Sequence, residues 1–300
     1  MMPITEDQEA WIIQYIHTHC GGSAPLGIGD DAAIPPIGDG QLLISTDTMV
    51  EGVHWDDRLS PSDVGWKLMA VNASDLGAMG ARPSWALLNL SLPAPLEMAW
   101  VRAFVAGLAE ASRHFRLPII GGDTTRAPTR VLGLTVGGYA RRPVTRAGGR
   151  PGDEIWVSGP LGRAAAGFYG EDSSWLRRPM PPVALGAALG EAGLLHAMMD
   201  LSDGLHKDLK RLCAASNCGA QVFPELIPGV SRMDWRVSFG EDYELLFVAS
   251  PEQQDAIVSV TAMQGVSATR IGVLTAALSV ELVGQSWPDL LFDHFPGGLS

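Results

Sequence analysis

The chain has 300 residues, which is enough for two domains with buried apolar cores. Apolar residues make up 46% of it, charged residues 18%, and the net charge at pH 7 is −12. Its lysines are Lys67, Lys207 and Lys210. Such an acidic surface repels polyanions, so we expect no nucleic acid among its partners. An acidic chain that binds phosphate groups needs either a local arginine cluster or divalent cations.

Hydropathy and cysteine usage indicate a location in the cytoplasm. The first twenty residues contain early acids and lack the apolar core of a signal peptide. No run approaches the roughly 18 apolar residues that span a bilayer, so we expect no membrane contact. Cys20, Cys213 and Cys218 are odd in number and lack the paired spacing of a zinc site. We therefore expect free thiols, buried or without a role, in a reducing compartment.

Hydrophobic periodicity predicts helices and strands in both halves of the chain. In the first half we expect a helix over 6–19, a strand over 41–45, a polar loop over 46–60, helices over 61–80 and 96–116, and a strand over 131–139. In the second half we expect a strand over 154–158, a glycine-rich turn and helix over 159–167, a helix over 204–216 and a strand over 245–249.

The mixture of helices and strands indicates the α/β or mixed α+β class. The segment 141–152 is rich in Arg, Gly and Pro and is the best candidate for a linker. We therefore expect an N-terminal domain over 1–142 and a C-terminal domain over 143–300.

Acidic residues recur beside Gly, Ser or Thr at the ends of apolar runs. The segments with this character are 27–31, 45–48, 72–75, 121–126, 200–204 and 240–244. Each one alone is more simply explained as a helix cap or a turn. Together they favour magnesium, which prefers oxygen ligands and is commonly shared between protein carboxylates and substrate phosphates.

Two of these segments carry more specific expectations. Asp75 lies well inside a predicted helix, where no cap is needed, so a buried carboxylate there calls for a cation. Gly121 and Gly122 follow an apolar run and would let backbone N–H groups approach phosphate oxygens, while Asp123 reaches a bridging metal. A plain turn is the alternative for that segment.

Two common nucleotide motifs are excluded. The GIGDDA sequence at 27–32 fits a dinucleotide-binding pattern, but it follows Ser23-Ala24-Pro25 instead of a strand. No Gly-Lys pair occurs, so a P-loop is absent. His54 follows the acidic segment 45–48, and contact with a phosphate and a structural role are equally good readings for it.

In order along the chain, these segments resemble the thiamine-monophosphate kinase family. The matching motifs are GIGDD (27–31), STDT (45–48), EGVH (51–54), AVNxSDLxAMGA (70–81), GGDTTR (121–126), TRxG (145–148), DLSDGL (200–205), GEDYEL (240–245) and DHF (293–295). The resemblance covers essentially the whole chain, and the ordered set is far more specific than any one motif.

The resemblance implies a two-domain fold like that of aminoimidazole-ribonucleotide synthetase. In that fold an N-terminal α/β domain contributes strands to a dimer barrel, and a C-terminal α/β domain closes over the active site. It also implies the last step of thiamine diphosphate biosynthesis, in which ATP phosphorylates thiamine monophosphate directly. Several Mg²⁺ ions, ATP as co-substrate and a homodimer follow from the same resemblance.

The resemblance also assigns roles to individual residues. The implied metal ligands, some acting through backbone carbonyls or water, are Asp30, Ser45, Thr46, Asp47, Asp75, Asp123, Asp200 and Asp203. The implied ATP contacts are Gly122, Asp123, Arg146 and Ser202. The implied contacts to thiamine monophosphate are His54, Glu241 and Phe292. No residue is expected to act as a general base, since the acceptor phosphate is already ionised at neutral pH.

The chain departs from the family pattern at three positions. Phe239 stands where the family usually has a second glycine, and we expect it to tighten or reshape the thiamine pocket. Ala73 and Gly77 replace bulkier residues beside Asp75, which indicates a change of packing.

The same motifs also allow other interpretations of the function. A selenophosphate synthetase would need a lysine near a reactive cysteine, which Cys20-Gly21-Gly22 lacks. A hydrogenase-maturation relative would carry a C-terminal cysteine, whereas Leu299-Ser300 ends this sequence. The alternative of a different class is a catalytically inactive homologue that senses nucleotides or thiamine phosphates.

Overall fold

The computed structural model describes residues 8–22, 24–28 and 32–289. The helices are α1 (Gln8–Cys20), α2 (Pro61–Ala78), α3 (Met98–Phe115), α4 (Arg163–Phe168), α5 (Ser174–Arg177), α6 (Val183–Ala192), α7 (Leu205–Ser216), α8 (Met233–Ser238) and α9 (Gln254–Gln264). The strands are β1 (Gln41–Val50), β2 (Arg82–Leu92), β3 (Ile119–Arg126), β4 (Val131–Ala140), β5 (Glu154–Ser158), β6 (Ala197–Asp200), β7 (Gly219–Val222), β8 (Leu245–Ala249), β9 (Ala268–Thr275) and β10 (Val280–Leu282).

The chain divides into two compact units. The first contains the residues up to Leu76 together with Arg82–Arg141, and the second contains Gly77–Ala81 and the residues from Arg142 onward. Each unit has its own sheet. The mixed α/β class expected from the sequence is confirmed.

The sheet of the first unit has the strand order β1-β4-β2-β3 within the described residues. Strand β4 pairs antiparallel with β1 and with β2, and β2 pairs parallel with β3. Helices α2 and α3 belong to this unit, and they approach closely where Gly107 meets the backbone of Ser62. Strands β1 and β3 therefore form the two edges of this sheet.

The sheet of the second unit has the order β10-β7-β9-β5-β8-β6 in the described part of the chain. Strands β5 and β8 are buried along their whole length, as continuous apolar runs predict. A core on one side includes Val157, Leu209 and Ile271, and a second core includes Trp156, Leu189 and Phe247. Strand β6 ends at Asp200, directly before the segment that leads into α7.

Most of the predicted elements are confirmed, with two corrections that affect the site. The loop expected over 46–60 is wrong at its start, because β1 continues to Val50. Alternating side chains in this stretch satisfy the period of a strand, and polar Thr and Asp side chains hid the pattern. The turn considered at Gly121 is also wrong, since β3 runs on to Arg126.

Buried side chains in both units include an apolar stripe and the cysteines. Phe104, Leu108 and Phe115 form the buried stripe of α3. The three cysteines are free and buried, as expected. No helix in residues 8–22, 24–28 and 32–289 is long and apolar enough to cross a membrane.

Candidate active site

In the first unit, β1 and α2 bring three of the predicted metal ligands together. The Ser45 hydroxyl donates a 2.5 Å hydrogen bond to Oδ2 of Asp75, which lies in the last turns of α2. Burial, together with the negative charge of Asp75, raises the pKa of Asp47 to about 6. Two carboxylates and a hydroxyl therefore converge in a place that favours a cation.

The fit of this group to magnesium rests on the chemistry of its donors. All three donors are oxygen atoms, which Mg²⁺ prefers, and the two carboxylates repel each other until a positive charge lies nearby. Among the described residues, no group of three or more His, Cys, Asp or Glu side chains is arranged to hold a metal. The protein alone thus offers a partial set of ligands, as is usual for magnesium shared with phosphates.

Thr46 lies on the other face of β1, because successive side chains of a strand alternate. Its hydroxyl donates to the carbonyl of Leu134 at 3.1 Å and accepts from Thr135 Oγ1 at 3.1 Å. The hydroxyl is thus already engaged on β4. Its expected role as a metal ligand stays a prediction.

Gly122 and Asp123 lie in the middle of the edge strand β3, with Asp123 exposed. A Cβ at position 122 would lie 1.8 Å from the carbonyl oxygen of Leu88, and φ is +151°. Only glycine fits this close approach between β2 and β3. The strand register pairs Asp123 with Asn89.

A cavity of about 680 Å³ lies against this part of the first unit. Its polar lining includes Asn89, Asp123 and Thr135, and its apolar lining includes Ile13 and Trp85. Its volume is in the range of small-molecule sites. It is the candidate pocket for a nucleotide, because Gly122 and Asp123 are the predicted ATP contacts.

Asp123 is not brought to Asp47 within one chain. Two strands, β4 and β2, separate β1 from β3. At about 4.8 Å between neighbouring strands, the backbones of Asp47 and Asp123 lie about 14 Å apart across the sheet. The register also places Asp123 on the face shared with Thr46, away from the Asp47 side chain.

His54 lies in the tight turn that follows β1. The backbone N–H of Val50 donates to His54 Nδ1 at 3.0 Å, and the N–H of His54 donates to the Val50 carbonyl at 2.9 Å. Because a backbone N–H can only donate, Nδ1 must be unprotonated. The neutral ring therefore carries its hydrogen on Nε2, a donor suited to a phosphate oxygen.

The turn that carries His54 is tied to the loop before β4. Glu51 accepts hydrogen bonds from Thr129 and from Arg130, whose guanidinium also pairs with Glu97. Hydrogen bonds from Arg130 oppose the effect of burial and lower the pKa of Glu51. Glu51 thus holds the turn and is not a phosphate contact.

In the second unit, Asp200 is buried at the end of β6, and Asp203 lies just before α7. Asp203 pairs with Arg211 at 2.5 Å and with Lys207 at 3.4 Å. Burial alone would raise its pKa, but Arg211 and then Lys207 lower the pKa overall. Its charge is thus balanced by two side chains of α7, so it needs a metal less than Asp47 does.

The segments around Ser202 and Glu241 run side by side. The N–H of Glu241 donates to the Ser202 carbonyl, and the N–H of Tyr243 donates to the Leu201 carbonyl, both at 2.9 Å. Gly240 has φ +88°, and a Cβ there would lie 2.5 Å from the Ser202 carbonyl oxygen. Glu241 and Tyr243 are also left-handed, with φ of +56° and +49°. Left-handed residues cost about 1–2 kcal/mol each, so the neighbouring contacts must hold this segment.

The other two acids of this segment are structural. Asp242 is 4% exposed and accepts the N–H groups of Gly162 and Ala164 at 2.6 and 3.3 Å. Glu244 accepts from Ser158 at 2.5 Å and pairs with Arg163. These bonds anchor the segment on both sides of Tyr243. Glu241 is half-buried, and its predicted contact with a substrate stays a prediction.

Phe239 packs inside its own unit. Its ring lies 5.2 Å from that of Phe168 and 6.0 Å from that of Tyr169, which stacks on Trp235 at 5.1 Å. The side chain that replaces a glycine of the family thus completes an aromatic cluster next to Gly240. Its expected effect on a thiamine pocket stays a prediction.

The remaining predicted residues are placed as follows. Arg146 is exposed in the segment beside β6, where the Thr145 carbonyl accepts from the N–H of Met198 at 3.0 Å. Asp30 and Phe292 lie outside the described residues.

Two residues that support the site were missed from the sequence. Asn72, three residues before Asp75 on α2, accepts from the N–H of Asp47 at 2.9 Å. Arg211 is the partner of Asp203. Spacing held the signal for Asn72, since residues three or four apart on a helix share a face. Arg211 lies eight residues after Asp203, which precedes α7, so no such spacing marks it.

Comparison with known proteins places these features in a family. A family model described as "AIR synthase related protein, N-terminal domain" matches residues 29–140, and its C-terminal counterpart matches residues 150–285. A thiamine-monophosphate kinase of Escherichia coli K12 is 39% identical over 90% of this chain and 92% of its own length. The chain belongs to the thiamine-monophosphate kinase family.

Solved structures of this family agree with the fold. A thiamine-monophosphate kinase from Stenotrophomonas maltophilia has a TM-score of 0.82 and 35% identity, covering 95% of this chain and 98% of its own. AaThiL, solved with AMPPCP and TMP, has a TM-score of 0.78 and 28% identity, covering 98% and 99% of the two chains. The hydrogenase maturation protein HypE of E. coli, at 18% identity and a TM-score of 0.79 over 95% and 99%, shares the fold alone. The two-domain fold expected from the sequence is thus confirmed for this member of the thiamine-monophosphate kinase family.

Proposed function

We propose that this chain transfers the γ-phosphoryl group of ATP to the phosphate of thiamine monophosphate. The products are ADP and thiamine diphosphate. The curated relatives in E. coli and Haemophilus influenzae are both thiamine-monophosphate kinases, at 39% and 35% identity. AaThiL was solved with an ATP analogue, AMPPCP, and with TMP.

The observation that carries the proposal is the convergence of Ser45, Asp47 and Asp75. A phosphate oxygen of thiamine monophosphate attacks the γ-phosphorus of ATP, and the bond from that phosphorus to the β-bridging oxygen breaks. The bridging oxygen leaves with ADP and keeps the electron pair. Both reactants are anions, so the reaction needs concentrated positive charge. Bound Mg²⁺ ions would supply that charge, held by Asp47, Asp75 and Ser45.

The other residues of the first unit position the reactants. Nε2 of His54 carries a hydrogen that can be donated to the phosphate of thiamine monophosphate, since Nδ1 is occupied by Val50. The cavity lined by Gly122 and Asp123 would take the nucleotide. No group is required to remove a proton, because the attacking oxygen is already ionised. A reaction that needs no general base agrees with a site whose residues are rich in carboxylates.

We further propose that the protein forms a homodimer through the edges of the first sheet. Leu42 and Ile44 of β1 are 45% and 60% exposed and alternate along the edge strand. Exposed apolar edges normally need a covering partner. Strand β1 is the edge strand that carries these residues, so a second copy of the chain is the partner that we propose for it.

The roles of Asp200, Asp203, Ser202, Arg146 and Glu241 in metal, ATP or substrate binding stay predictions, as does the cytoplasmic location. No observation on the described residues favours an inactive sensor.

The test is to incubate the purified protein with ATP, thiamine monophosphate and Mg²⁺ and to separate the products by chromatography. We expect thiamine diphosphate and ADP in equal amounts, and neither when thiamine monophosphate or Mg²⁺ is omitted. Specific binding of both substrates with no diphosphate formed would instead support the sensor.

A further inference from the structure

Asn72 is a buried amide that links α2 to β1. Its side chain is 0% exposed. Its Nδ2 donates to the carbonyl of Leu68, four residues earlier on the same helix, at 2.9 Å. Its Oδ1 accepts from the backbone N–H of Asp47 at 2.9 Å. Both polar ends of the amide are therefore used.

These two partners fix the orientation of the amide. A carbonyl can only accept a hydrogen bond and a backbone N–H can only donate one, so Oδ1 and Nδ2 cannot be exchanged. Asn72 and Asp75 are three residues apart on α2 and share one face of the helix. One contacts the backbone of β1, and the other accepts from the Ser45 side chain.

The contact at Asp47 also sets the direction of a second group. In a planar trans peptide, the C=O of residue 46 points opposite to the N–H of residue 47. Because the Asp47 N–H points to Asn72, the Thr46 carbonyl points away from Asn72. The carbonyl therefore points away from the face of α2 that carries Asp75, so the ligand that the Asn72 contact orients is the Asp47 carboxylate.

We propose that Asn72 is a positioning residue for the magnesium ligands on β1. It holds the Thr46–Asp47 peptide so that the Asp47 carboxylate keeps the orientation toward Asp75 that a shared divalent cation requires. Asn72 itself does not touch the ion. The inference rests on the proposed function, since it assigns the metal to Asp47 and Asp75.

The test uses Asn72→Ser as its main variant. A serine hydroxyl within a helix can donate to the carbonyl four residues earlier, so the Leu68 carbonyl keeps a hydrogen-bond donor. The serine hydroxyl is too short to reach Asp47, so only the link to β1 is lost. Asn72→Ala removes both bonds and serves as the second variant.

Ser112→Ala is the matched control. Ser112 is also buried in the first unit, and its hydroxyl bonds the carbonyl of Leu117 at 2.8 Å, which joins the end of α3 to the chain before β3. Ser112→Ala removes one buried hydrogen bond between a side chain and the backbone, as Asn72→Ser does. The bond it removes lies away from Asp47.

Two readouts are measured for each variant. The first is Mn²⁺ affinity in the presence of a non-hydrolysable ATP analogue, by electron paramagnetic resonance. The second is the Mg²⁺ concentration that gives half of the maximal rate. Loss of a residue that orients metal ligands weakens metal binding roughly tenfold to a hundredfold. We expect Asn72→Ser to show such a loss in both readouts, with the KM for thiamine monophosphate unchanged at saturating Mg²⁺.

The controls separate a structural role from a positioning role. If Asn72→Ser binds Mn²⁺ as tightly as Ser112→Ala does, Asn72 serves only stability and the proposal fails. If the wild-type chain forms no thiamine diphosphate, the proposed function fails, yet the Mn²⁺ measurement still decides whether Asn72 orients the ligands. If Asn72→Ala does not fold, Asn72→Ser carries the test.

Discussion

The hydroxyl of Ser45 on β1 donates to the carboxylate of Asp75 on α2, across thirty residues of sequence. This bond joins the edge strand to the helix at the point where Asp47 also lies. A carboxylate well inside a helix thus has a partner on the sheet, and a second carboxylate lies beside it.

We expect Asp75→Asn to lower kcat by at least about a hundredfold while the fold is kept. The amide has the shape of the carboxylate and can still accept from Ser45, but it lacks the negative charge that a shared cation requires. Turnover is measured as formation of thiamine diphosphate, and folding by circular dichroism. Asp63→Asn, in the first turn of the same helix, should keep nearly full activity. An Asp75→Asn variant with most of the wild-type rate would exclude Asp75 as a metal ligand.

The orientation of the His54 ring predicts different effects when His54 is replaced by glutamine and by asparagine. Glutamine can place an N–H donor near the position of Nε2, whereas asparagine places its amide near Nδ1. Because Nδ1 accepts from Val50 and Nε2 carries the hydrogen, a donor at the Nε2 position should retain contact with the substrate phosphate. We expect His54→Gln to raise the KM for thiamine monophosphate by about threefold and His54→Asn by tenfold or more, since a lost hydrogen bond to a charged group is worth about 1.5–3 kcal/mol.

Steady-state kinetics with ATP held saturating checks this order. The KM for ATP serves as the internal control and should not change in either variant. Equal effects of glutamine and asparagine would show that the Nε2 donor is not what His54 contributes.

The sequence was sufficient for the reaction class, and less so for the arrangement of the site. Asp75 could be selected because a carboxylate between Val71 and Leu76 has no local use in a helix. The continuation of β1 was missed because Thr46 and Thr48 are polar and suggest a loop, whereas sheet pairing with β4 decides the conformation. Tertiary pairing overrides local preference in this way.

The second unit shows the same limit. The acids of the GEDYEL motif look alike in sequence, yet Asp242 accepts a hydrogen bond from Gly162 and Glu244 accepts one from Ser158. Asp242 and Glu244 are separated from these partners by 80 and 86 residues of sequence. No local pattern encodes such distant partners, so the sequence could not identify Asp242 and Glu244 as structural acids.

The exposed edge of the first sheet predicts a dimer that can be disrupted. Ile44→Lys places a charge on an apolar position of β1, and charged edge strands resist pairing. We expect the wild-type chain to be a dimer and Ile44→Lys to shift it toward the monomer by at least tenfold in dissociation constant. Sedimentation equilibrium measures both. Met263→Lys, at a residue 75% exposed on α9, is the control and should leave the dimer intact. A dimer that tolerates Ile44→Lys would place the interface elsewhere.

Asp242 gives a prediction about stability and pH. Burial raises its pKa from 3.8 to about 7, with Glu244 adding to the rise and the N–H groups of Gly162 and Ala164 and the charge of Arg163 opposing it. Between these two pH values the folded protein keeps a proton that the unfolded chain has released. The free energy of unfolding therefore falls as pH rises from about 4 to 7, by up to about 1.4 kcal/mol per pH unit from this group. Below and above that window both states carry the same charge, and the contribution levels off.

Asp242→Asn removes this titration, because the amide is neutral at every pH. It can still accept from Gly162, but its NH₂ group faces a donor, which lowers stability by an amount that does not depend on pH. In chemical unfolding of both proteins from pH 4.5 to 8, we expect the stability lost by the variant to be largest at low pH and to shrink toward pH 7. The exposed acid Asp255, replaced by Asn, should leave the wild-type profile unchanged. Parallel profiles for wild type and Asp242→Asn would mean that Asp242 is ionised throughout, and that the N–H groups of Gly162 and Ala164 outweigh its burial.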